Sequence, residues 1–189
     1  MVGQAKGADG WVNRPMLATK DWAPAASIFK VVTASALLAG GYSPEEKVCF
    51  HGGKRSVVES NLTDSAKWDS HCADLSYGIA HSQNAIIAKL ATKHLTPRFL
   101  GEYAHKFGFS EPLRLALPAN TGTVTTPKDP LEFAKLAAGF KHSKLSVIGG
   151  ARIAQAIATK GLMMQPRFCL LYTSPSPRDA TLSRMPSSA

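Results

Sequence analysis

Apolar residues recur at helical spacing in five stretches of the chain, and most of these stretches have recognisable start and stop signals. The predicted helices cover residues 27–39, from Asp74 or Ser76 to about His94, from Thr96 to Gly108, from Asp129 to Gly139, and from Ser146 to Gly161. Residues 1–23 indicate turns with one short strand or hairpin, and residues 42–73 are irregular and polar. The pattern therefore predicts a helix-rich chain with few strands.

The pattern changes at Pro166. Residues 166–189 are rich in proline and serine, and they show no apolar periodicity beyond "CLLY". This segment resembles the translation of a cloning or sequencing adapter, and such segments are excluded from fold reasoning. We therefore expect one domain over residues 1–165, followed by a low-complexity, non-native tail over residues 166–189.

The sequence argues against a membrane-spanning helix within these 189 residues and against a nucleic-acid-binding site. No apolar run reaches the roughly 20 residues that a membrane-spanning helix needs, and "MVGQAKGADGWVNRP" lacks the apolar centre of a signal peptide. The net charge is +9 in 189 residues, but the basic residues are scattered and are not interleaved with aromatic ones. A nucleic-acid site would show a clustered basic patch. A solvated basic surface or an anionic substrate explains the charge without nucleic acid.

Ser27 and Lys30 stand at the start of the most hydrophobic predicted helix, in "APAASIFKVV". Residues three apart lie on one face of a helix. Burial disfavours the charged ammonium and lowers a lysine pKa, so Lys30 is a candidate base and Ser27 a candidate nucleophile. The alternative is a lysine that extends its charge to solvent, beside an unremarkable serine.

Ser82 and Asn84 form a second polar pair, in "AHSQNAIIAKLA". Both residue types are common at helix starts, so ordinary capping is one interpretation. The functional interpretation makes Ser82 a proton relay and gives Asn84 a contact with substrate. The two pairs in this order are much less expected by chance than either pair alone.

The order Ser-x-x-Lys, then Ser-x-Asn, resembles the first two motifs of penicillin-binding proteins and serine β-lactamases. "PAASIFK" and "AAGFKHSKLSVIGGARIAQAIATKG" are similar to penicillin-binding transpeptidase domains, and the resemblance covers roughly residues 15–165. It implies an α+β fold in which a helical cluster packs against an antiparallel sheet, with the serine at their junction.

The resemblance also implies an activity. Ser27 would attack the carbonyl between two terminal D-alanines of a peptidoglycan stem peptide, and β-lactams would acylate the same serine. Lys30 would be the base, Ser82 the proton relay and Asn84 the ligand of the substrate amide. No metal or organic cofactor is implied. The protein would work in the bacterial periplasm or cell envelope, held to the inner membrane by an N-terminal anchor that this chain lacks.

The family's third motif, Lys-Thr-Gly, does not occur in this sequence. "NTGT" at residues 120–123 lacks the lysine, and "TKG" at residues 159–161 has another order. The resemblance therefore predicts a partial domain that is truncated at both ends and lacks sheet strands on its C-terminal side. We expect weak activity from such a chain.

Cys49-x-His51 and His71-Cys72 leave three states open for the two cysteines: a disulfide, free thiols or a zinc site. The location implied by the resemblance favours a disulfide between Cys49 and Cys72. His81, next to Ser82, is a tempting base, but the resemblance gives that role to lysine.

Two other functions stay open on the sequence. A serine β-lactamase or β-lactam sensor would share the motifs, but no glutamate stands out as a deacylating base. A non-catalytic domain that binds glycan or protein would keep the fold without the reaction.

Overall fold

Helix α1 (Phe29–Ala39) packs against four other helices in the computed structural model, which describes residues 4–14, 16–113, 115 and 118–166. The other helices are α2 (Leu75–Ala80), α3 (Asn84–His94), α4 (Pro97–Lys106), α5 (Pro130–Ala137) and α6 (Val147–Ala158). The strands are β1 (Gln4–Gly7), β2 (Gly10–Asn13), β3 (Ala23–Pro24), β4 (Val48–Phe50), β5 (His71–Ala73), β6 (Gly122–Val124) and β7 (Ser143–Leu145).

The core lies between α1 and its neighbours α2, α3, α4 and α5. Fully buried side chains of α1 and α3 supply much of it: Phe29, Val32, Ala36, Leu37, Ile86, Ile87 and Leu90. Burying each large aliphatic or aromatic side chain contributes about 1.5–3 kcal/mol to folding. The helix that follows Ser27 and carries Lys30 is therefore fixed by packing.

Most helices begin at a residue whose side chain caps the first turn. Asp74, Thr96, Asp129 and Ser146 each accept a hydrogen bond from the backbone N–H three residues later. Such caps satisfy N–H groups that have no partner within the helix. Helix α1 differs, because it follows a 3₁₀ turn, Ala26–Ile28, and has no side-chain cap.

The central sheet has three antiparallel strands in the order β3-β7-β6. Strand β3 pairs Ala23 with Leu145, and the chain then turns directly into α1. Ser27 therefore lies where the sheet meets the helical core. The predicted α+β arrangement, helices against an antiparallel sheet, is confirmed.

Two predictions about local structure are wrong. The single helix expected up to His94 is divided at residues 81–83 into α2 and α3. The irregular stretch 42–73 contains β4 and β5, which pair with each other. Each of these strands has three residues, too few to show an alternating pattern in the sequence.

The short strand or hairpin expected near the N-terminus is a hairpin of β1 and β2. No helix within the described ranges is long and apolar enough to cross a membrane. The predicted tail, residues 166–189, lies outside the described residues except for Pro166, and its boundary stays a prediction.

Candidate active site

Ser27 lies in the 3₁₀ turn before α1, with an exposed side chain at the end of a buried helix. The preceding residue, Ala26, has a φ of 48°, in the left-handed region that an alanine rarely adopts. Backbone strain of this kind is typical of functional sites and persists only where surrounding packing enforces it. The turn holds the Ser27 hydroxyl at the surface while Phe29 anchors the helix in the core.

Ser82 occupies the turn that ends α2. The N–H of Ser82 donates to the Ile79 carbonyl and the N–H of Gln83 donates to the Gly78 carbonyl, at 3.1 and 2.8 Å. These two bonds define a Schellman motif, in which the position of Ser82 is usually a glycine. The φ of Ser82 is accordingly 50°. A serine at this position directs its hydroxyl toward α1 at a cost in backbone strain.

Three polar side chains meet at the junction of α1 with the α2–α3 turn. The Oγ atoms of Ser27 and Ser82 lie 2.7 Å apart. The Lys30 Nζ donates to the Ser27 Oγ at 3.1 Å and to the Ser82 Oγ at 2.6 Å. It also donates to the Ser82 carbonyl at 2.9 Å. An ammonium has three N–H donors, and these contacts use all of them.

Lys30 is 2% exposed, although its partners are neutral oxygens. Among the described residues, no carboxylate lies within ion-pair distance of it. Loss of solvation on burial lowers the pKa of Lys30 to about 8. At pH 8 about half of the molecules then carry a neutral amine, which can accept a proton from a neighbouring hydroxyl.

Asn84 begins α3 two residues after Ser82, and its side chain is buried. Its Nδ2 donates to the carbonyls of Gly53 and Lys54, at 2.7 and 3.2 Å. The amide nitrogen therefore holds the 53–54 loop against the site. The Oδ1 accepts no hydrogen bond from the described residues, so it can accept one from a substrate N–H.

Gly139 forms the opposite wall of the site. It terminates α5 in a second Schellman motif, with a φ of 85°. A Cβ at this position would lie 1.9 Å from the Ala26 carbonyl oxygen. Only glycine allows the end of α5 to press directly on the turn that carries Ser27.

These segments enclose a cleft of about 360 Å³. Ser27, Ser82 and Asn84 line it together with Ala26, Lys54, His81 and residues 138–140. Three of the four residues that the motifs single out therefore line this cleft, and the fourth, Lys30, lies beneath the two serines. Sequence reasoning missed Lys54 and the approach of Gly139. The glycine after α5 was visible as a helix stop, but its contact with Ala26 depends on tertiary packing.

Cys49 and Cys72 face each other across β4 and β5 and are joined as a disulfide. The zinc alternative requires both thiolates, which the disulfide consumes. His51 instead contacts Asp69 through Nδ1, at 2.6 Å.

Next to the disulfide, Lys89 is fully buried and paired with Asp69 at 2.7 Å. Burial raises the pKa of Asp69, but hydrogen bonds from His51, Lys89 and the Ser65 N–H outweigh it and hold the pKa well below its usual range. Lys89 also donates to the Cys49 carbonyl, at 2.9 Å. This cluster ties β4 to α3.

The sequence matches the family model for the penicillin-binding protein transpeptidase domain over residues 4–181. The chain belongs to this family. The resemblance drawn from the motifs is thereby confirmed. The matched range continues beyond Pro166, into the segment that we predicted to be a non-native tail. No curated protein sequence matches the chain.

Solved penicillin-binding protein structures share the fold. Penicillin-binding protein A from M. tuberculosis, as its ceftriaxone acyl-enzyme complex, is 25% identical with a TM-score of 0.68, covering 81% of this chain and 36% of that chain. The D,D-transpeptidase domain of a peptidoglycan glycosyltransferase from Eggerthella lenta is 23% identical with a TM-score of 0.65, covering 82% and 40%. A peptidoglycan glycosyltransferase from Burkholderia ambifaria is 23% identical with a TM-score of 0.66, covering 88% and 53%. The chain thus spans between about a third and a half of these proteins.

Proposed function

We propose that this chain is a penicillin-binding D,D-transpeptidase domain that cross-links peptidoglycan stem peptides through an acyl-enzyme on Ser27. The observation that carries the proposal is the contact of Lys30 with both serine hydroxyls, at 3.1 and 2.6 Å. One amine can then take a proton from the nucleophile and return it through Ser82. The site uses no metal or organic cofactor.

In the first step, the neutral Lys30 amine takes the Ser27 hydroxyl proton while the Ser27 Oγ bonds to the carbonyl carbon of the penultimate D-alanine. The resulting tetrahedral intermediate collapses with cleavage of the C–N bond. Ser82 passes a proton from the Lys30 ammonium to the leaving amine, and D-alanine departs. An amine of a second stem peptide then attacks the ester carbonyl, the bond from that carbon to the Ser27 Oγ breaks, and the amine proton passes through Ser82 and Lys30 back to the Ser27 Oγ. A β-lactam follows the first step only, since its leaving amine stays attached.

The oxyanion of the intermediate needs hydrogen-bond donors. The Ser27 backbone N–H donates to no other residue in the described part of the chain, so it is available for this purpose. In the family, a second donor comes from the strand that carries Lys-Thr-Gly, which is absent from this sequence. Losing one oxyanion donor typically lowers the rate about 10² to 10³-fold.

Asn84 would accept a hydrogen bond from the substrate amide through its Oδ1, because its Nδ2 is engaged by the 53–54 loop. The Cys49–Cys72 disulfide supports a location outside the cytoplasm, where disulfides persist. We therefore assign the domain to the periplasm or cell envelope.

The β-lactamase alternative is less favoured by the cleft. A β-lactamase needs a base that activates water for deacylation. No carboxylate is among the described residues that line the cleft. An acyl-enzyme formed at Ser27 would therefore persist, as expected of a penicillin-binding protein or a sensor. A purely binding domain would have no need for the costly burial of Lys30 under two serines.

Labelling by a fluorescent penicillin, followed by mass spectrometry of the labelled peptide, tests the proposal. We expect weak labelling of this chain and strong labelling of a form that also carries the family's Lys-Thr-Gly strand. Ser27→Ala should abolish labelling in both. Ser35→Ala is the matched control, because Ser35 lies on the same helix and bonds the Val31 carbonyl away from the cleft. An adduct on a serine other than Ser27, or none in the longer form, would refute acyl transfer at this site.

A further inference from the structure

His81 lines the active-site cleft but takes no part in the proton transfer through Lys30. It is the C-cap residue of α2, directly precedes Ser82 and is exposed. The other ionisable residue that lines the cleft in the described part of the chain is Lys54. A lysine ammonium has three donors and no lone pair, whereas an imidazole can accept a proton near neutral pH. His81 is therefore the candidate for an exposed base in the cleft.

Two contacts with Tyr77 hold the His81 ring in place. The two rings are stacked, with centroids 4.0 Å apart and planes at 21°. The His81 Nδ1 lies 3.2 Å from the Tyr77 carbonyl oxygen. A carbonyl oxygen can only accept, so this contact requires a proton on Nδ1, and the neutral ring then carries its lone pair on Nε2. Among the residues that the structure describes, none forms a hydrogen bond with this Nε2.

The second half of the reaction releases one proton more than the Ser82–Lys30 route returns to the Ser27 Oγ. A primary amine such as a lysine side chain has a pKa of about 10.4, so at neutral pH it arrives as an ammonium without a lone pair. Amide formation removes two protons from this nitrogen. One passes through Ser82 and Lys30 to the Ser27 Oγ as the ester bond breaks. The other has to leave before the amine can attack the ester carbonyl.

We propose that the His81 Nε2 takes this first proton from the incoming ammonium, so that a free amine attacks the acyl-enzyme. The inference rests on the proposed acyl transfer at Ser27. An N–H bond of the ammonium breaks, its electron pair stays on the amine nitrogen, and an Nε2–H bond forms. The exposed imidazolium then gives its proton to solvent water, which restores the neutral ring. Water has a pKa of about 15.7, too high for an imidazole to convert it to hydroxide, so this step does not promote hydrolysis.

The test measures how each acyl-enzyme is resolved, so the weak acylation expected of this chain does not affect it. A benzoyl-D-alanyl thioester supplies the acyl group, Nα-acetyl-lysine amide is the acceptor, and chromatography gives the ratio of amide to free acid. His81→Asn keeps a donor for the Tyr77 carbonyl but removes the base, and it should lower this ratio about 10²-fold. With hydroxylamine, which is already a neutral amine at pH 7, the ratio should not change. His71→Asn is the matched control: His71 is exposed and contacts the Phe50 ring beside Tyr77, but it does not line the cleft.

Heteronuclear NMR of the His81 ring nitrogens adds a measurement that needs no acylation. We expect the proton of the neutral ring on Nδ1, and a shift of the Nε2 resonance when Nα-acetyl-lysine amide is added. A proton on Nε2 in the neutral ring, or an Nε2 resonance that the amine leaves unchanged, overturns the role of His81. An unchanged ratio in His81→Asn, an equal loss with hydroxylamine, or an equal loss in His71→Asn overturns it as well. A shift of Nε2 by the amine without any acyl adduct on Ser27 would retain the amine site and reject acyl transfer.

Discussion

The hydroxyl oxygens of Ser27 and Ser82 lie 2.7 Å apart although the two residues are separated by 55 positions in the chain. Ser27 directly follows Ala26, which adopts a left-handed backbone conformation, and Ser82 adopts such a conformation itself. The fold therefore accepts strain on both sides of the contact. Lys30 bridges the two hydroxyls from below, so the three groups can exchange one proton without moving.

Lys30 should set the pH dependence of acylation. Because burial lowers the pKa of Lys30 to about 8, the neutral amine increases as the pH rises through that value. The rate of penicillin acylation of Ser27, measured by mass spectrometry of samples quenched at successive times, should rise from pH 6 through 8 and level off only above about pH 9. Lys30→Met should lose most of the rate and the pH dependence together. A rate that falls over this interval would contradict the role of Lys30 as the base.

The same lysine should make stability depend on pH at higher values. Between pH 8 and about 10.5 the unfolded chain keeps the Lys30 proton while the folded protein releases it. Stability should therefore rise with pH across this window, relative to Lys30→Met. The measurement is the urea midpoint of both proteins at pH 7, 9 and 10.5. A stability difference that does not change with pH would show that burial leaves the Lys30 pKa near its usual value.

Ser82 should show a conflict between stability and activity. Ser82→Gly relieves the left-handed strain, and we expect a gain of about 1 kcal/mol in the free energy of unfolding. Ser82→Ala keeps the strain and should bring no such gain. Both variants lose the hydroxyl, so both should acylate more slowly than the unmodified protein. If only Ser82→Ala loses activity, the hydroxyl is not the relay.

Replacing Gly139 by alanine should destabilise the protein by more than its left-handed backbone conformation alone explains, because the added methyl group would collide with Ala26. Gly41 is the matched control: it ends α1 in the same type of motif, with a φ of 88° against 85°, and a Cβ there meets nothing within 4 Å. Gly41→Ala should cost about 1 kcal/mol of stability. Gly139→Ala should cost more and should also slow acylation by displacing Ala26. Equal effects of the two substitutions in urea unfolding would exclude a structural role for the contact.

The disulfide should stabilise the loop that Asn84 holds. Its cysteines are 23 positions apart, and closing a loop of this size contributes about 3 kcal/mol. A dithiol reductant should lower the urea midpoint of the unmodified protein to that of Cys49→Ala/Cys72→Ala. The double variant is its own control, since reductant should leave its midpoint unchanged. If the reductant lowered the urea midpoints of both proteins by the same amount, the Cys49–Cys72 disulfide would not be the source of the effect.

Four of the five helices, the pairing of Ser27 with Lys30 and the family could be predicted from the sequence alone. These features depend on short spacings, because an amphipathic period and an i,i+3 pair are local properties of the chain. The division of α2 from α3 was hidden because Ser82 stands where a glycine would have marked the helix end.

Three features of the site could not be predicted without the folded structure: the contact of Ser27 with Ser82, the approach of Gly139 to Ala26 and the position of Lys54 in the cleft. Each of these features joins segments that are far apart in the chain, and neither segment carries a sequence pattern that predicts it. The burial that lowers the pKa of Lys30 is of the same kind, since it depends on which elements cover the lysine. Local motifs therefore identify the residues of the site, but the reactivity of these residues depends on packing between distant segments.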